Sequence, residues 1–342
     1  MRKGVARVLL AAGALLWCCQ GLRAQGDLAF AELGNYRLEN GQVIRNCRLA
    51  YRTFGTLNAD RSNALLFPTW LAGTTRELVE LGYIGPGKVV DSSKFFVVAV
   101  EAFGNGISSS PSNSRRQHGR SFPRFSVRDL VAAQHLLLTR QLQLPHLRGV
   151  VGISLGGMVA YQWLVTYPDF LDKAVAIAGS PRLTSYDRLL WQAELDALGG
   201  FGKKRPDNAA AMRRVAVIHN LHARTPGYVA AHTPPEAFPQ YLAAVEQSLQ
   251  KYDATDWAWQ LGAVMDHDVY RSCGGSPAAA AKVIRAQVLV VWSRQDLAIC
   301  PEPALALASC LGAETCELPG DCGHFSFLCE IEALRDRVGR FL

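Results

Sequence analysis

The chain has little charge, no paired cysteine motif outside its first residues, and no apolar run long enough to cross a bilayer comfortably. Charged residues make up 19% of the 342, and the formal net charge is +7. Arg2, Lys3, Arg7 and Arg23 supply four of these charges within a segment that holds no acid, so the remainder carries only about +3. That surplus is too small to point to nucleic acid, and none is expected as a partner. After residue 24 there is no Cys-x-x-Cys pair, which removes the usual zinc and redox signatures. No Asn-x-Ser/Thr sequon follows residue 24 either, which fits bacterial export better than a eukaryotic secretory route. Internal repeats, low-complexity stretches and disorder-type composition are also lacking. Nothing in the pattern calls for a metal or a cofactor.

The N-terminus does carry one apolar run, residues 8–19, behind Arg2, Lys3 and Arg7 and ahead of Leu22-Arg23-Ala24. Too short to span a bilayer well, it has the layout of a secretory signal. Residues 1–24 are therefore expected to be removed, leaving a periplasmic or secreted protein with no other membrane attachment. A short N-terminal anchor is the alternative. Trp17 is too bulky for a lipoprotein signal before Cys18 and Cys19. Seven cysteines remain: Cys47, Cys273, Cys300, Cys310, Cys316, Cys322 and Cys329. In an oxidising compartment some should pair, and the odd count leaves at least one over, but spacing does not give the connectivity.

With 49% hydrophobic residues the chain can bury a large core. Short apolar runs alternate with helix-length periodic segments, the pattern of a mostly parallel sheet covered by helices, an α/β fold. Strands are predicted at 48–54, 64–67, 95–100, 149–153, 174–178, 288–292 and 315–318. Helices are predicted at 126–142, 156–167, 303–311 and 326–342. Between 181 and 284 the strand pattern lapses into helical, tryptophan-bearing sequence. We read one core made of 25–180 and 285–342, with 181–284 inserted as a helical cap; an independent second domain is the alternative.

Gly152-Ile153-Ser154-Leu155-Gly156 fits Gly-x-Ser-x-Gly between a buried strand and a helix. That is the context of a nucleophile elbow, a turn so tight that the flanking positions must lack side chains. A serine hydroxyl needs a histidine to take its proton, and the histidine needs a carboxylate to hold it. In a sheet of this kind the order is Ser, acid, His. Asp296 follows the run 288–292, and His324 follows 315–318, so the expected triad is Ser154, Asp296 and His324. Asp321 is the rival acid, set aside because it lies so close in sequence to His324. Asp266 and Asp268 read as a polar cap turn around His267. His118 and His267 fall on loops away from a late strand, and His135 and His146 precede the serine. His219 and His222 are spaced as a helical pair that could bind a metal with His232, but a packed or solvated pair is preferred. The oxyanion needs two backbone N–H donors: Leu155, and one from Thr69-Trp70-Leu71-Ala72-Gly73-Thr74, where Leu71 is chosen and Trp70 is the alternative.

Several segments together resemble the homoserine O-acetyltransferase family of α/β-hydrolase-fold proteins. These are Tyr51-Arg52-Thr53-Phe54-Gly55-Thr56-Leu57-Asn58, Gly85-Pro86-Gly87-Lys88, Ser109-Ser110-Pro111, Phe122-Pro123, Gly156-Gly157-Met158 and Gly323-His324 followed by Phe327-Leu328. The resemblance implies an α/β-hydrolase fold, acyl transfer through Ser154, and a homodimer. It departs at two places. The family's Gly-His-Asp becomes Gly323-His324-Phe325, so the aspartate that helps hold the homoserine ammonium is Phe325. Arg213 stands near the family's cap arginine, but Asn220-Leu221 replaces its Tyr-Arg. Trp70, Arg213 and Phe325 are the expected substrate contacts. A small ester or thioester is the expected substrate, with hydrolysis the leading reaction. Acyl transfer to a hydroxyl, and a non-catalytic binding protein on the same fold, are the alternatives.

Overall fold

The computed structural model describes residues 26–201 and 207–342. The expected signal segment, 1–24, lies outside them. Eight strands form one sheet: β1 (Ala29–Arg37), β2 (Val43–Phe54), β3 (Ala64–Pro68), β6 (Phe96–Val100), β7 (Leu147–Ile153), β8 (Leu171–Ile177), β9 (Gln287–Trp292) and β10 (Glu314–Glu317). Their order is β1-β2-β6-β3-β7-β8-β9-β10. β1 pairs with β2 and β2 with β6 antiparallel; every other pairing is parallel. The central strands are buried on both faces, which is why they read as unbroken apolar runs. Two short strands, β4 (Ile84–Gly85) and β5 (Val90–Asp91), make a separate pair.

The sheet is flanked by α1 (Thr75–Glu80), α2 (Val127–Leu136) and α3 (Leu155–Thr166), then α10 (Glu302–Leu311), α11 (Ser326–Cys329) and α12 (Ile331–Phe341). α2 starts where its capping box predicts: Ser126 Oγ accepts from the Asp129 N–H, and Asp129 returns the contact to the Ser126 N–H. Between β8 and β9 the described chain is helical: α4 (Ser185–Ala197), α5 (Asn208–Ala223), α6 (Pro226–His232), α7 (Phe238–Ser248), α8 (Ala254–Met265) and α9 (Pro277–Val283). An isolated bridge between Arg182 and Asp268 joins the start and the later part of this insertion. No helix among the described residues is long and apolar enough to cross a membrane.

Three sequence expectations change. β1 was not anticipated, because Gly34 at φ +65° breaks its alternation with shifts of register on either side. The helix predicted at 126–142 leaves α geometry after Leu136 and ends in a π-helical turn, Leu137–Gln141. The closing helix is two pieces, α11 and α12, broken at Glu330.

Candidate active site

Ser154 ends β7 and starts α3 with φ +57° and ψ −118°, a conformation that side-chain-bearing residues almost never adopt. The strain is held by neighbours. The Ser154 N–H donates to Ile177 O at 2.8 Å, and its carbonyl accepts from the Met158 N–H at 3.0 Å. Glycine is required on both sides for steric reasons. A Cβ at Gly152 would lie 2.0 Å from the Gly156 carbonyl oxygen, and one at Gly156 would lie 2.6 Å from that of Pro68.

Two loops at the same edge of the sheet bring the partners. His324 Nε2 lies 3.0 Å from Ser154 Oγ, and its Nδ1 lies 2.8 Å from Asp296 Oδ2. Asp296 Oδ1 accepts from the N–H groups of Ala298 and Ile299, 2.9 Å each, which fixes the carboxylate and leaves Oδ2 for the ring. A carboxylate only accepts, so Nδ1 carries the proton and Nε2 offers its lone pair to the serine hydroxyl. Both partners are buried. Asp321 is exposed, and its main-chain carbonyl accepts from Thr225 Oγ1. A residue not anticipated, Asp187 of α4, accepts from the Cys300 N–H at 2.9 Å and so ties α4 to the loop that carries Asp296. Burial pushes its carboxyl above the usual range.

In the loop after β3, the N–H groups of Thr69, Ala72 and Gly73 are all engaged, by Val100 O, Gln260 Oε1 and Trp70 O. Among the described residues those of Trp70 and Leu71 donate to no protein atom, which leaves both Leu71 and its alternative Trp70 free to serve beside Leu155. Gln260 of α8 was also missed by the sequence reading. It is fully buried, takes the Ala72 N–H at 2.6 Å and donates to Phe103 O at 2.8 Å. Gly73 admits the Trp70 indole, whose Nε1 lies 2.4 Å from where a Cβ would be.

The expected substrate contacts separate. Trp70 and Phe325 both pack on one apolar cluster, and the Phe325 ring lies 6.2 Å from the His324 ring. Arg213 is exposed on α5, nine residues from buried His222 and hence on the opposite face of that helix. It is not brought to Ser154, Asp296 and His324. His219 and His222 meet Glu194, not His232, which is exposed and donates to or accepts nothing from that pair. Glu194 Oε1 accepts from His219 Nδ1 and His222 Nε2 at 2.9 Å each, while Oε2 takes the Trp257 indole N–H at 3.0 Å. Burial alone would raise the Glu194 carboxyl, but the two imidazoles outweigh it and hold it well below the usual range. One ligand atom from each of the three lies within 4.8 Å of the others, a grouping that could take a divalent cation. Its hydrogen bonds satisfy the carboxylate without one.

Residues 83–330 match the alpha/beta hydrolase fold family. The chain is 34% identical over 289 residues to an ethyl acetate hydrolase of Pseudomonas veronii, covering 79% of this chain and 81% of the relative. It is 42% identical over 165 residues to a homoserine O-succinyltransferase of Acinetobacter baumannii, across 43% of this chain and 42% of that one. Among solved structures, the acetyl esterase MekB superposes with a TM-score of 0.84 at 30% identity, covering 93% of this chain and 96% of that one. The chain belongs to the alpha/beta hydrolase fold family, among relatives that include acetyl esterases and homoserine O-acyltransferases.

Proposed function

We propose that the protein is an exported serine ester hydrolase acting on small acyl esters. The observation that carries this reading is the hydrogen-bonded line from Ser154 Oγ through His324 to Asp296, at 3.0 and 2.8 Å. In the proposed cycle Ser154 Oγ attacks the acyl carbonyl while His324 Nε2 takes its proton. The Leu155 N–H and that of Leu71, or Trp70 in its place, receive the negative oxygen of the tetrahedral intermediate. The protonated imidazole then gives its proton to the leaving alcohol. Water, deprotonated by the same imidazole, releases the acid. Asp296 keeps the ring in the tautomer that can do this and stabilises it when charged.

The relatives' printed activities, on ethyl acetate and acetyl esters, suggest a short acyl group here. Phe325 beside the base and Arg213 turned outward favour an uncharged acceptor over the amino acid homoserine. Export rests on residues 1–24, and the Cys322–Cys329 disulfide supports an oxidising destination. The similarity to a homoserine O-succinyltransferase keeps acyl transfer as a second reading.

The test is a panel of acetyl to octanoyl esters with the purified protein. Short esters should be hydrolysed and a fluorophosphonate should label Ser154, with both lost in Ser154→Ala. Acetyl- or succinyl-CoA with homoserine, scored for O-acyl product, distinguishes transfer. A correctly folded wild-type protein that hydrolyses no ester and refuses the fluorophosphonate would overturn the proposal.

A further inference from the structure

The turn that carries His324 is closed on itself by a covalent bond. Cys322 and Cys329, seven residues apart, form a disulfide, and His324 lies between them. The other described cysteines, Cys47, Cys273, Cys300, Cys310 and Cys316, are free. Cys322 precedes the 3-10 turn Gly323–Phe325, and Cys329 ends α11, so the bond joins the two ends of the base-bearing segment. That segment has little regular structure of its own: one 3-10 turn and one four-residue helix, with Gly323 at φ +66°. It is seated on the helical insertion just after α5. The Arg224 guanidinium donates to Cys322 Sγ at 3.3 Å and reaches Cys329 Sγ at 3.7 Å. The same guanidinium stacks over the rings of Tyr228, at 4.4 Å, and Phe325, at 5.3 Å. Thr225 Oγ1 donates to Asp321 O at 2.6 Å, one residue before the disulfide.

We propose that the Cys322–Cys329 disulfide is a positioning element for the general base, holding the His324 imidazole between Ser154 and Asp296, so that turnover depends on the bond being oxidised. The inference rests on the triad reading above. Its physical basis is entropic and geometric. Without the bond, the turn is held by scattered single hydrogen bonds, among them Ser326 Oγ to Gly323 O at 2.9 Å and to Ser293 Oγ at 3.2 Å, and it gains conformers in which Nε2 lies off the serine line; small displacements of a reacting group are costly in rate. Arg224 reaches both sulfurs at once, and reduction frees them to move apart beneath it. Reduction by a dithiol breaks the S–S bond. Its two electrons come from the reagent, which becomes a cyclic disulfide, and its two protons end on the sulfurs of Cys322 and Cys329.

The experiment compares three preparations of the exported protein: oxidised, reduced by dithiothreitol until two further thiols appear, and reoxidised. Cys322→Ser/Cys329→Ser is measured beside them. Circular dichroism reports the fold, and the downfield proton NMR resonance of His324 Nδ1–H reports the Asp296 contact independently of turnover. The expected result is a fall in kcat of about ten- to a hundred-fold on reduction, with KM changed little. The Nδ1–H resonance should broaden, the circular dichroism should hold, and both kcat and resonance should recover on reoxidation. The double variant should start low and ignore dithiothreitol. Unchanged kcat and resonance after full reduction would overturn the proposal, as would global unfolding, which would make the bond a general staple. If the oxidised protein hydrolyses no ester yet its resonance still responds to reduction, the hydrolase reading fails and the positioning role stands.

Discussion

At the scale of single residues, the site is a set of donors and acceptors with few spare valences, and this makes substitutions predictable. Asp296→Asn keeps the shape but replaces an acceptor-only group with one that can donate, so Nδ1 need no longer carry the proton. The fold should hold while kcat falls by roughly ten-thousand-fold, as for the same change in other triads; steady-state kinetics with a thermal melt would check this. Gln260 holds the loop proposed to supply an oxyanion donor, through the Ala72 N–H. Gln260→Met leaves the Ala72 N–H buried without its acceptor, at a cost of about 1–3 kcal/mol. Kinetics on a short ester should then show kcat lowered more than KM is raised. Gln260→Glu, which keeps the acceptor, should recover part of the loss. Arg213→Ala, on the outer face of α5, should leave kcat/KM within about two-fold, since surface changes away from a site rarely matter.

At the scale of elements, the elbow was the most legible feature because everything it needs is contiguous. A strand, a serine and glycines at fixed offsets specify it by sterics alone. Gly152→Ala tests this, since its Cβ would meet backbone that cannot move aside. It should cost at least about 1–3 kcal/mol in urea unfolding and reduce fluorophosphonate labelling together. Asp296 and His324 were legible for a different reason: each follows a buried apolar strand, and chain order ranked them. β1 escaped notice because its Gly34 bulge disrupts the period that identifies a strand. The break at Glu330 escaped because no proline or glycine marks it; Glu330 leaves helical geometry at φ −114° and ψ 37°, and its Oε1 accepts from the Gly320 N–H at 2.9 Å.

At the scale of the whole molecule, buried titratable groups set how stability depends on pH. Burial pushes the His267 imidazole down to about 4, and it also pushes His222 below its ordinary value. Above about pH 6.5 both states are neutral and the groups contribute nothing. As pH falls from there toward 4, the unfolded chain binds protons that the folded one refuses, so stability drops. For His267 alone the full effect is about 3 kcal/mol. Asp256 runs the other way. Burial, partly offset by Ser112, raises its carboxyl to about 7, so its contribution weakens as pH rises from about 4 to 7. The informative quantity is therefore a difference. Urea unfolding at pH 7 and pH 5 should show His267→Asn losing less stability on acidification than wild type, by about 1–2 kcal/mol. An equal loss in both would mean the buried imidazole does not resist protonation.

By itself the sequence determined what short-range sterics and hydrophobic period can encode: a mostly parallel sheet, a helical stretch between two of its strands, the serine turn, and the loops that carry Asp296 and His324. Tertiary packing decided the rest, because it depends on which distant surfaces meet. Glu194 joins His219 and His222 across 25 and 28 residues, and Gln260 reaches Ala72 across 188. Arg213 faces water only because α5 buries its other side, and Cys322 pairs with Cys329, one of six other cysteines after residue 24, because the turn between them folds back on itself. No local pattern records such choices, since the free energy that makes them comes from burying surfaces the chain brings together only when folded.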